Sequence, residues 1–285
     1  MLATKDYGVK VFSDAARLQK LLGLARTERY SAPKLARIFN CEKKTILGTL
    51  SKLGERLPNL GQFKRKYALD DHFFSSLNAV SAYWLGFIAA DGCLYSKAGG
   101  EKSLYVTLRY SDANHLRKFK KAIKSTARLG YTKSNHSVRL GFYSFGTLFD
   151  SLVNLGITPN KSLRIRRVEV VDNLMSHFIR GVFDGDGSIS GKKASHVQFE
   201  IAGYAPLLKQ IQNTLVQECG VNKVRIYPLA DGGKGGASRL QYTGAQIFRI
   251  LDFLYRDSTN QTRLARKYEK YISLKGRFLK ACLVN

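Results

Sequence analysis

Two stretches of the sequence decide the fold: residues 81–92 read SAYWLGFIAADG, and residues 176–187 read SHFIRGVFDGDG. They align without a gap, 95 residues apart. Each is an apolar run that ends in Asp-Gly, which is typical of a helix with a defined stop. We expect Gly92 and Gly187 to adopt the left-handed turn that ends many helices. A repeat of this length indicates an internal duplication.

Both stretches carry small residues four positions apart. These are Gly86 and Ala90 in the first stretch, and Gly181 and Gly185 in the second. Residues with this spacing lie on one face of a helix. A glycine inside a helix costs about 1 kcal/mol relative to alanine. We therefore expect these faces to form a helix contact close enough to repay that cost.

Close packing of the two helices would bring together the aspartates that end them, Asp91 and Asp186. Each carboxylate lies where the helix dipole is negative, so the pair is unfavourable without a cation. Oxygen ligands suit Mg²⁺, with Mn²⁺ as an alternative. We predict that the two aspartates bind the metal, with backbone near Ala90 and Gly185 beside it, and that they are catalytic.

Each stretch is followed by strands in which apolar and polar residues alternate. Examples are Val106-Thr107-Leu108-Arg109 in the first copy, and Phe199-Glu200-Ile201 and Val224-Arg225-Ile226-Tyr227 in the second. Amphipathic helices separate the strand pairs. We predict an α+β fold in which two pseudo-symmetric αββαββα repeats form a saddle with a basic groove, beside a small all-α N-terminal domain. The predicted domains are a helical domain with a basic linker (1–70), a first repeat (71–165) and a second repeat with a C-terminal helix (166–285).

The N-terminal region contains two short helical patterns separated by a turn. Ser31 can cap the first helix and Pro33 is tolerated in its first turn, while the second helix is expected from Lys43 to Leu53. This spacing is that of a helix-turn-helix, which ordinary helical hairpins share. For the second helix we expect an inner stripe of Ile46, Leu47, Leu50 and Leu53, with Lys43, Lys44, Thr45 and Lys52 outside.

The charge of the chain indicates an anionic partner. Lysine and arginine number 47 against 21 acidic residues, a formal net charge of +26. Nucleic acid is the commonest such partner, and an acidic membrane surface is the rival. The sequence has neither an apolar run of membrane-spanning length nor a signal peptide, so we expect a soluble, intracellular protein. The four cysteines have no zinc-site spacing.

Residues 84–92 and 179–187 resemble the two signature helices of the LAGLIDADG homing endonucleases, and the resemblance covers about residues 75 to 272. It implies a helix pair on a pseudo-twofold axis and a metal-binding acid at the end of each motif. It also implies double-stranded DNA as partner, a long asymmetric target, and cleavage across the minor groove with short 3′ overhangs. Ala89 departs from the pattern where the second motif has Asp184, which we interpret as structural or as lying behind the metal site.

Family members also place basic residues around the metal. By resemblance Lys161 is the candidate in the first repeat, with a simple phosphate contact as the alternative, and Arg263 is the candidate in the second. Polar side chains on the sheets and basic residues in the linkers are expected to contact DNA, since arginine and glutamine suit guanine and adenine edges. The predicted DNA-contacting residues are Lys43, Lys44, Lys64, Arg65, Lys66, Arg109, Arg139, Lys192, Lys193, Gln198, Arg225, Arg239 and Gln241.

The sequence therefore predicts a monomeric, metal-dependent, site-specific DNA endonuclease with no obligate protein partner and no membrane partner. The alternatives left open are a catalytically silent DNA-binding regulator, an RNA splicing cofactor, and RNA binding in general. An intein is disfavoured because the chain starts at Met1 and lacks a final His-Asn pair.

Overall fold

The protein comprises two compact units, Met1–Arg65 and Lys66–Asn285, each with its own hydrophobic core. The structure, a computed structural model, describes residues 12–26, 30, 32–55, 57, 67–96, 102–143, 147–159, 165, 167–191, 197–229 and 236–284.

Three helices form the described part of the first unit: α1 (Ala15–Arg26), α2 (Ala32–Ile38) and α3 (Lys43–Lys52). Their buried residues, Leu21, Leu35, Ile46 and Leu50 among them, belong to one apolar cluster. The turn between α2 and α3 includes Asn40, whose φ of 48° is left-handed. Asparagine tolerates this conformation better than most residues. The chain thereby passes from α2 to α3 within four residues.

The inner stripe predicted for α3 was wrong at two of its four residues. Ile46 and Leu50 are buried, but Leu47 and Leu53 are 43% and 45% exposed and Thr45 is buried instead. Successive residues turn by about 100° around a helix, so Leu47 lies outside the arc that Thr45, Ile46 and Leu50 share. Leu53 leaves the stripe because the helix ends at Lys52.

The second unit contains the two predicted αββαββα repeats. The first consists of α4 (Ala79–Asp91), β1 (Gly92–Ser96), β2 (Lys102–Arg109), α5 (Ala113–Ala122), β3 (Gly130–Thr132), β4 (Ser137–Tyr143) and α6 (Thr147–Asn154). The second consists of α7 (Met175–Asp186), β5 (Gly187–Ser190), β6 (Gln198–Tyr204), α8 (Ala205–Cys219), β7 (Tyr227–Pro228), β8 (Ala237–Thr243) and α9 (Gln246–Tyr255), and α10 (Ala265–Val284) follows. The α+β prediction is confirmed.

Each repeat forms one antiparallel four-stranded sheet, with strand orders β1-β2-β4-β3 and β5-β6-β8-β7. The register places apolar residues opposite one another, as in Val106 with Leu140 and Ile201 with Leu240. All four are buried. The alternate residues face away from the core, because successive side chains of a strand point to opposite faces. Each sheet therefore has one open, polar face, as the alternation predicted.

The strand predicted at Val224–Tyr227 is shorter in the structure, where β7 is only Tyr227–Pro228. The backbone before β7 is hydrogen-bonded to a side chain instead of to a neighbouring strand: the Gln212 side chain donates to the Val224 carbonyl oxygen at 2.6 Å. Pro228 has no N–H to continue the ladder. Arg225 therefore lies in an irregular segment rather than on a strand.

The centre of the unit is the contact between α4 and α7. A Cβ added at Gly86 would lie 2.0 Å from the Phe178 carbonyl oxygen, and one at Gly181 would lie 2.0 Å from the Tyr83 carbonyl oxygen. One at Gly185 would lie 2.3 Å from the Ala90 Cβ. No side chain fits in these gaps, so the two backbones touch directly. Helix α4 is buried from Ser81 to Ala89.

We expect Gly86→Ala to lower the free energy of unfolding by about 2–3 kcal/mol, although alanine is the better helix former, because the new methyl group overlaps the backbone of α7. Urea titration followed by circular dichroism measures the change. Gly276→Ala in α10 is the matched control. No described atom lies within 4 Å of that Cβ position, so propensity alone should raise stability by up to about 1 kcal/mol. Equal stabilisation by both substitutions would contradict the close helix contact.

Candidate active site

The site begins where α4 and α7 end, at Asp91 and Asp186. The glycine after each aspartate has an extended backbone, with φ of −76° at Gly92 and −95° at Gly187, so the left-handed turns expected there were wrong. At both positions glycine is required because a side chain would not fit, not because the backbone has a positive φ. An added Cβ would lie 2.7 Å from the Ile88 carbonyl oxygen at Gly92, and 2.2 Å from the Phe183 ring at Gly187. The chain can thus turn sharply from each helix into the first strand.

The two aspartates lie at the same end of the helix pair. Asp91 is half-buried and Asp186 is exposed. A Cβ added at Gly185 would lie 3.3 Å from Asp91 Oδ2, so the Asp91 carboxylate lies beside the last turn of the opposite helix, next to Asp186. Both carboxylates occupy the negative end of a helix dipole. The arrangement concentrates negative charge at one edge of the helix contact.

Lys267, which was not predicted from the sequence, contributes positive charge at this edge. Lys267 is 6% exposed, and its amine donates to the carbonyl oxygens of Phe183 (2.5 Å), Asp184 (2.8 Å) and Gly187 (2.5 Å), with Gly185 at 3.5 Å. Lysine thereby donates to carbonyl groups of the last turn of α7, among them that of Phe183, which also accepts from the Gly187 N–H. Burial lowers the pKa of Lys267 to about 8, against the attraction of Asp184 and, more weakly, of Asp91 and Asp186.

A sequence signal for Lys267 does exist. Leu264, Tyr271 and Leu274 form a buried stripe at helical spacing, and Lys267 occupies a position on that stripe. A lysine inside an apolar stripe implies a buried partner for its amine. The partner itself lies 80 to 84 positions away in the sequence, so only the fold identifies it.

Asp184 lies behind the site in a polar network, whereas its counterpart in the first repeat is the apolar Ala89. It is 1% exposed and accepts hydrogen bonds from the hydroxyls of Tyr83 (2.9 Å) and Tyr255 (3.0 Å) and from the Leu264 N–H (2.7 Å). Burial raises its pKa, while nearby Lys267 and these hydrogen bonds oppose the rise. The bond to Leu264 fixes the start of α10, three residues before Lys267. Asp184 therefore positions the lysine rather than facing outward.

Arg180 extends this network. It is fully buried and donates to the Thr262 carbonyl oxygen at 2.7 Å, the Leu254 carbonyl oxygen at 2.6 Å and His177 Nδ1 at 2.8 Å. Its counterpart 95 residues earlier is the apolar Leu85. Leu254 belongs to the last turn of α9 and Thr262 to the segment between α9 and α10, so Arg180 fastens both to α7. The second half of the site is more polar than the first.

The predicted second basic residue, Arg263, lies in the same segment. Its guanidinium stacks 3.6 Å from the centre of the Tyr268 ring and donates to Asn260 Oδ1 at 2.7 Å and to Ser258 Oγ at 3.4 Å. Its own loop thus holds the side chain. A catalytic role for Arg263 stays a prediction.

Five predicted DNA-contacting side chains of the sheets and Arg225 are at least partly solvent-accessible. Arg109 and Arg139 belong to the first open face, and Gln198, Arg239 and Gln241 to the second. Arg139 is held in place because it donates to Thr107 Oγ1 at 3.1 Å and lies 5.1 Å from the centre of the Tyr105 ring. Arg239 lies 3.9 Å from Glu200, which shares its face. The two faces therefore offer different sets of donors and acceptors.

Several predicted contacts lie outside the described residues: Lys64, Arg65, Lys66, Lys161, Lys192 and Lys193. Of the N-terminal predictions, Lys43 and Lys44 are exposed on α3.

The donor set at the helix ends suits a hard cation. Within the described residues there is no cluster of three or more His, Cys, Asp or Glu able to hold a metal. Two carboxylates are nevertheless enough for Mg²⁺, which retains waters and commonly takes its remaining ligands from phosphate. The residues therefore fit Mg²⁺ in the presence of a phosphate substrate. None of the described helices is long and apolar enough to cross a membrane.

No protein-family model matches the sequence, and no curated protein matches it. Several solved structures are similar. The LAGLIDADG homing endonuclease I-GzeII, in complex with its DNA target, gives a TM-score of 0.49 at 12% identity, over 70% of this chain and 89% of that chain. I-LtrWI, bound to target DNA, gives 0.46 at 13% identity, over 69% and 89%. The N-terminal LAGLIDADG domain of DUF199/WhiA gives 0.44 at 16% identity, over 67% and 91%. What the site can do is decided by its own residues.

We expect acid to destabilise the protein through His115. Its Nε2 lies 2.8 Å from the Tyr83 hydroxyl oxygen, and its buried Nδ1 has no hydrogen-bond partner among the described residues. Burial, with Lys118, Arg266 and Lys267 nearby, lowers the pKa of His115 from 6.5 to about 3. The unfolded chain therefore binds the proton first, and stability falls as the pH drops below about 6.5. Between pH 7 and pH 5 the loss should be about 2 kcal/mol.

Urea titration at the two pH values tests this. In His115→Gln that part of the pH dependence should disappear, because the amide can still donate to Tyr83 but does not titrate. His72→Gln, at an exposed histidine, should leave the dependence unchanged. The same pH dependence in His115→Gln as in the native chain would refute the assignment.

Lys267→Met should lower the free energy of unfolding at pH 7 by about 2–4 kcal/mol, because buried carbonyl groups at the end of α7 lose their donor. Lys270→Met, at an exposed position of the same helix, is the control and should change stability by less than about 0.5 kcal/mol. Thermal unfolding of both variants measures the difference. Equal effects would mean that the amine does not stabilise the helix end.

Proposed function

We propose that this protein is a site-specific double-strand DNA endonuclease that hydrolyses phosphodiesters with Mg²⁺ at Asp91 and Asp186. The observation that carries the proposal is the meeting of two helix ends. Two duplicated helices touch through their backbones, and each ends in an aspartate at the same edge of the contact. A structural role alone gives no reason to bring two carboxylates together at the negative ends of two helices.

The carboxylates of Asp91 and Asp186 would hold the metal, together with backbone near Ala90 and Gly185. When bound, a divalent cation supplies positive charge that stabilises the phosphoryl group as it is attacked. The protein residues perform the positioning. Lys267 fixes the end of α7, from which Asp186 projects, and Asp184 fixes Lys267 through the start of α10. Lys161 and Arg263 are the proposed sources of further positive charge toward the phosphate.

Double-stranded DNA is the proposed substrate because the open sheet faces are polar and the chain is strongly basic. A net charge of +26 favours phosphate binding through counterion release. Arginine and glutamine side chains on strands can reach base edges in the major groove. Arg139, held between Thr107 and Tyr105, is already ordered and would lose little conformational entropy on binding.

The target should be asymmetric, and one chain should suffice to cut it. Both halves of the site belong to the same polypeptide, so a second copy is not required. The first open face offers Arg109 and Arg139, whereas the second offers Gln198, Arg239 and the acidic Glu200. Different side chains on the two faces require different base sequences in the two half-sites. An enzyme of this type acting on a long target suits a mobile element.

We expect Asp91→Asn and Asp186→Asn each to abolish double-strand cleavage in Mg²⁺ while leaving DNA affinity within about tenfold, since asparagine keeps the shape but loses the charge that holds the cation. The assay is digestion of a randomised duplex library, with sequencing of the cut ends and a parallel gel-shift measurement. Asp172→Asn, an exposed aspartate just before α7, is the matched control and should cut normally.

Discrete cuts with short 3′ overhangs, absent from both site variants, would support the endonuclease. Unchanged cutting by the double variant Asp91→Asn/Asp186→Asn would refute the metal assignment. Binding without cuts in every protein would instead support a DNA-binding regulator or an RNA splicing cofactor with the same fold.

A further inference from the structure

We infer that the first unit carries a second DNA-binding surface, the outer face of α3, which docks in the major groove of duplex DNA. This outer face consists of the exposed residues Lys43, Lys44, Leu47, Gly48 and Ser51. The inference goes beyond cleavage, because it holds whether or not the two repeats cut DNA.

The way in which α3 is held leaves this face exposed within the described part of the chain. Ile46 and Leu50 on its inner side are buried in the cluster that contains Leu21 of α1 and Leu35 of α2. The turn at Asn40 is closed by a hydrogen bond of 2.9 Å from the Cys41 N–H to the Ala36 carbonyl oxygen. Two helices joined by such a turn form the frame in which a second helix is presented to the major groove. A ten-residue helix, about 15 Å long and 10–12 Å wide with its side chains, fits a groove about 12 Å wide.

The lysines at the start of α3 are unfavourable for the helix itself. Lys43 and Lys44 occupy its first turn, which contains no acidic residue, although the helix dipole there disfavours cations. The Glu42 carboxylate lies 3.0 Å from the Lys44 amine, but both side chains remain at least 70% exposed. A negatively charged partner outside the chain would favour lysines at these two positions. Residues 1–65 carry 14 lysines and arginines against 5 acidic residues, so phosphate is the complementary chemistry.

Gly48 allows a partner to approach the backbone of α3 closely. A glycine in the interior of a helix costs about 1 kcal/mol relative to alanine. At Gly86 and Gly181 the contact between α4 and α7 explains that cost, but no described atom lies within 4 Å of a Cβ added at Gly48. The missing side chain leaves room for a partner to approach the backbone. Leu47 beside it is 43% exposed and suits the methyl group of thymine.

Two DNA-binding surfaces on one chain would act together. Once one surface is bound, the other is held at a high effective concentration near the same duplex, so overall affinity rises without new contacts. Loss of the α3 surface should therefore weaken binding of the whole chain while the chemistry at Asp91 and Asp186 is untouched.

The test is photo-crosslinking of the full chain to a randomised duplex that carries a photoreactive thymine analogue, with the crosslinked peptides mapped by mass spectrometry. We expect crosslinks in 43–52 of α3 that exceed those in 15–26 of α1. Crosslinks in the sheets but none above the α1 level in α3 would overturn this inference and leave the proposed endonuclease standing. Crosslinks in α3 alone would support this inference and count against DNA binding by the repeats. A chain without any crosslinks would overturn both this inference and the proposed endonuclease.

A charge reversal adds a quantitative arm. Lys43→Glu places an acidic residue in the first turn of α3, where it favours the helix, so weakened binding cannot be attributed to unfolding. We expect its affinity for a duplex pool to fall about tenfold, with the melting temperature unchanged or raised. Lys20→Glu on the exposed side of α1 makes the same change of charge and should weaken binding less than about threefold. Equal losses in the two variants would mean that only net charge matters, which overturns a docking role for α3.

Discussion

The direct contact of two helix backbones is the constraint on which the larger unit depends. Where Gly86 meets Phe178 and Gly181 meets Tyr83, no Cβ can be accommodated, so the two repeats are locked at one crossing point and in one register. The helix ends therefore meet, and with them Asp91 and Asp186. Each sheet starts immediately after its helix, so the same contact also fixes the two open faces relative to the carboxylates.

The site is built unequally on the two sides of this contact. The first helix buries aromatic and aliphatic residues, whereas the second buries Arg180 and Asp184 in a hydrogen-bonded network. Buried polar groups of this kind are stabilising only when they are fully paired. Thr262 and Leu264, just before α10, are among their partners, and Lys267 within α10 donates to the Asp184 carbonyl oxygen, so the C-terminal helix is part of the site's framework. A pseudo-symmetric fold thus carries an asymmetric interior.

Much of this architecture could be predicted because it depends on local periodicity. Alternating residues identified the strands, and the matched Asp-Gly ends of the helices located Asp91 and Asp186. What could not be predicted depends on distant neighbours. Lys267 donates to carbonyl groups 80 to 84 residues away, Gln212 donates to the backbone at Val224, and Gly92 is required by the bulk of Ile88 rather than by its own φ. The inner face of α3 was misjudged at Thr45 and Leu47 because apolar character alone does not fix the buried arc of a short helix.

The hydrogen bond from Tyr83 to Asp184 joins the two halves, since each half supplies one partner. His115 of the first half continues this chain, and Tyr255 and Leu264 of the second complete it. An exchange of one half for that of another protein would have to preserve the Tyr83–Asp184 pair, or leave the buried Asp184 carboxyl group one hydrogen bond short. New pairings of halves are thus restricted by the interior of the protein as well as by the DNA sequence that each half would read.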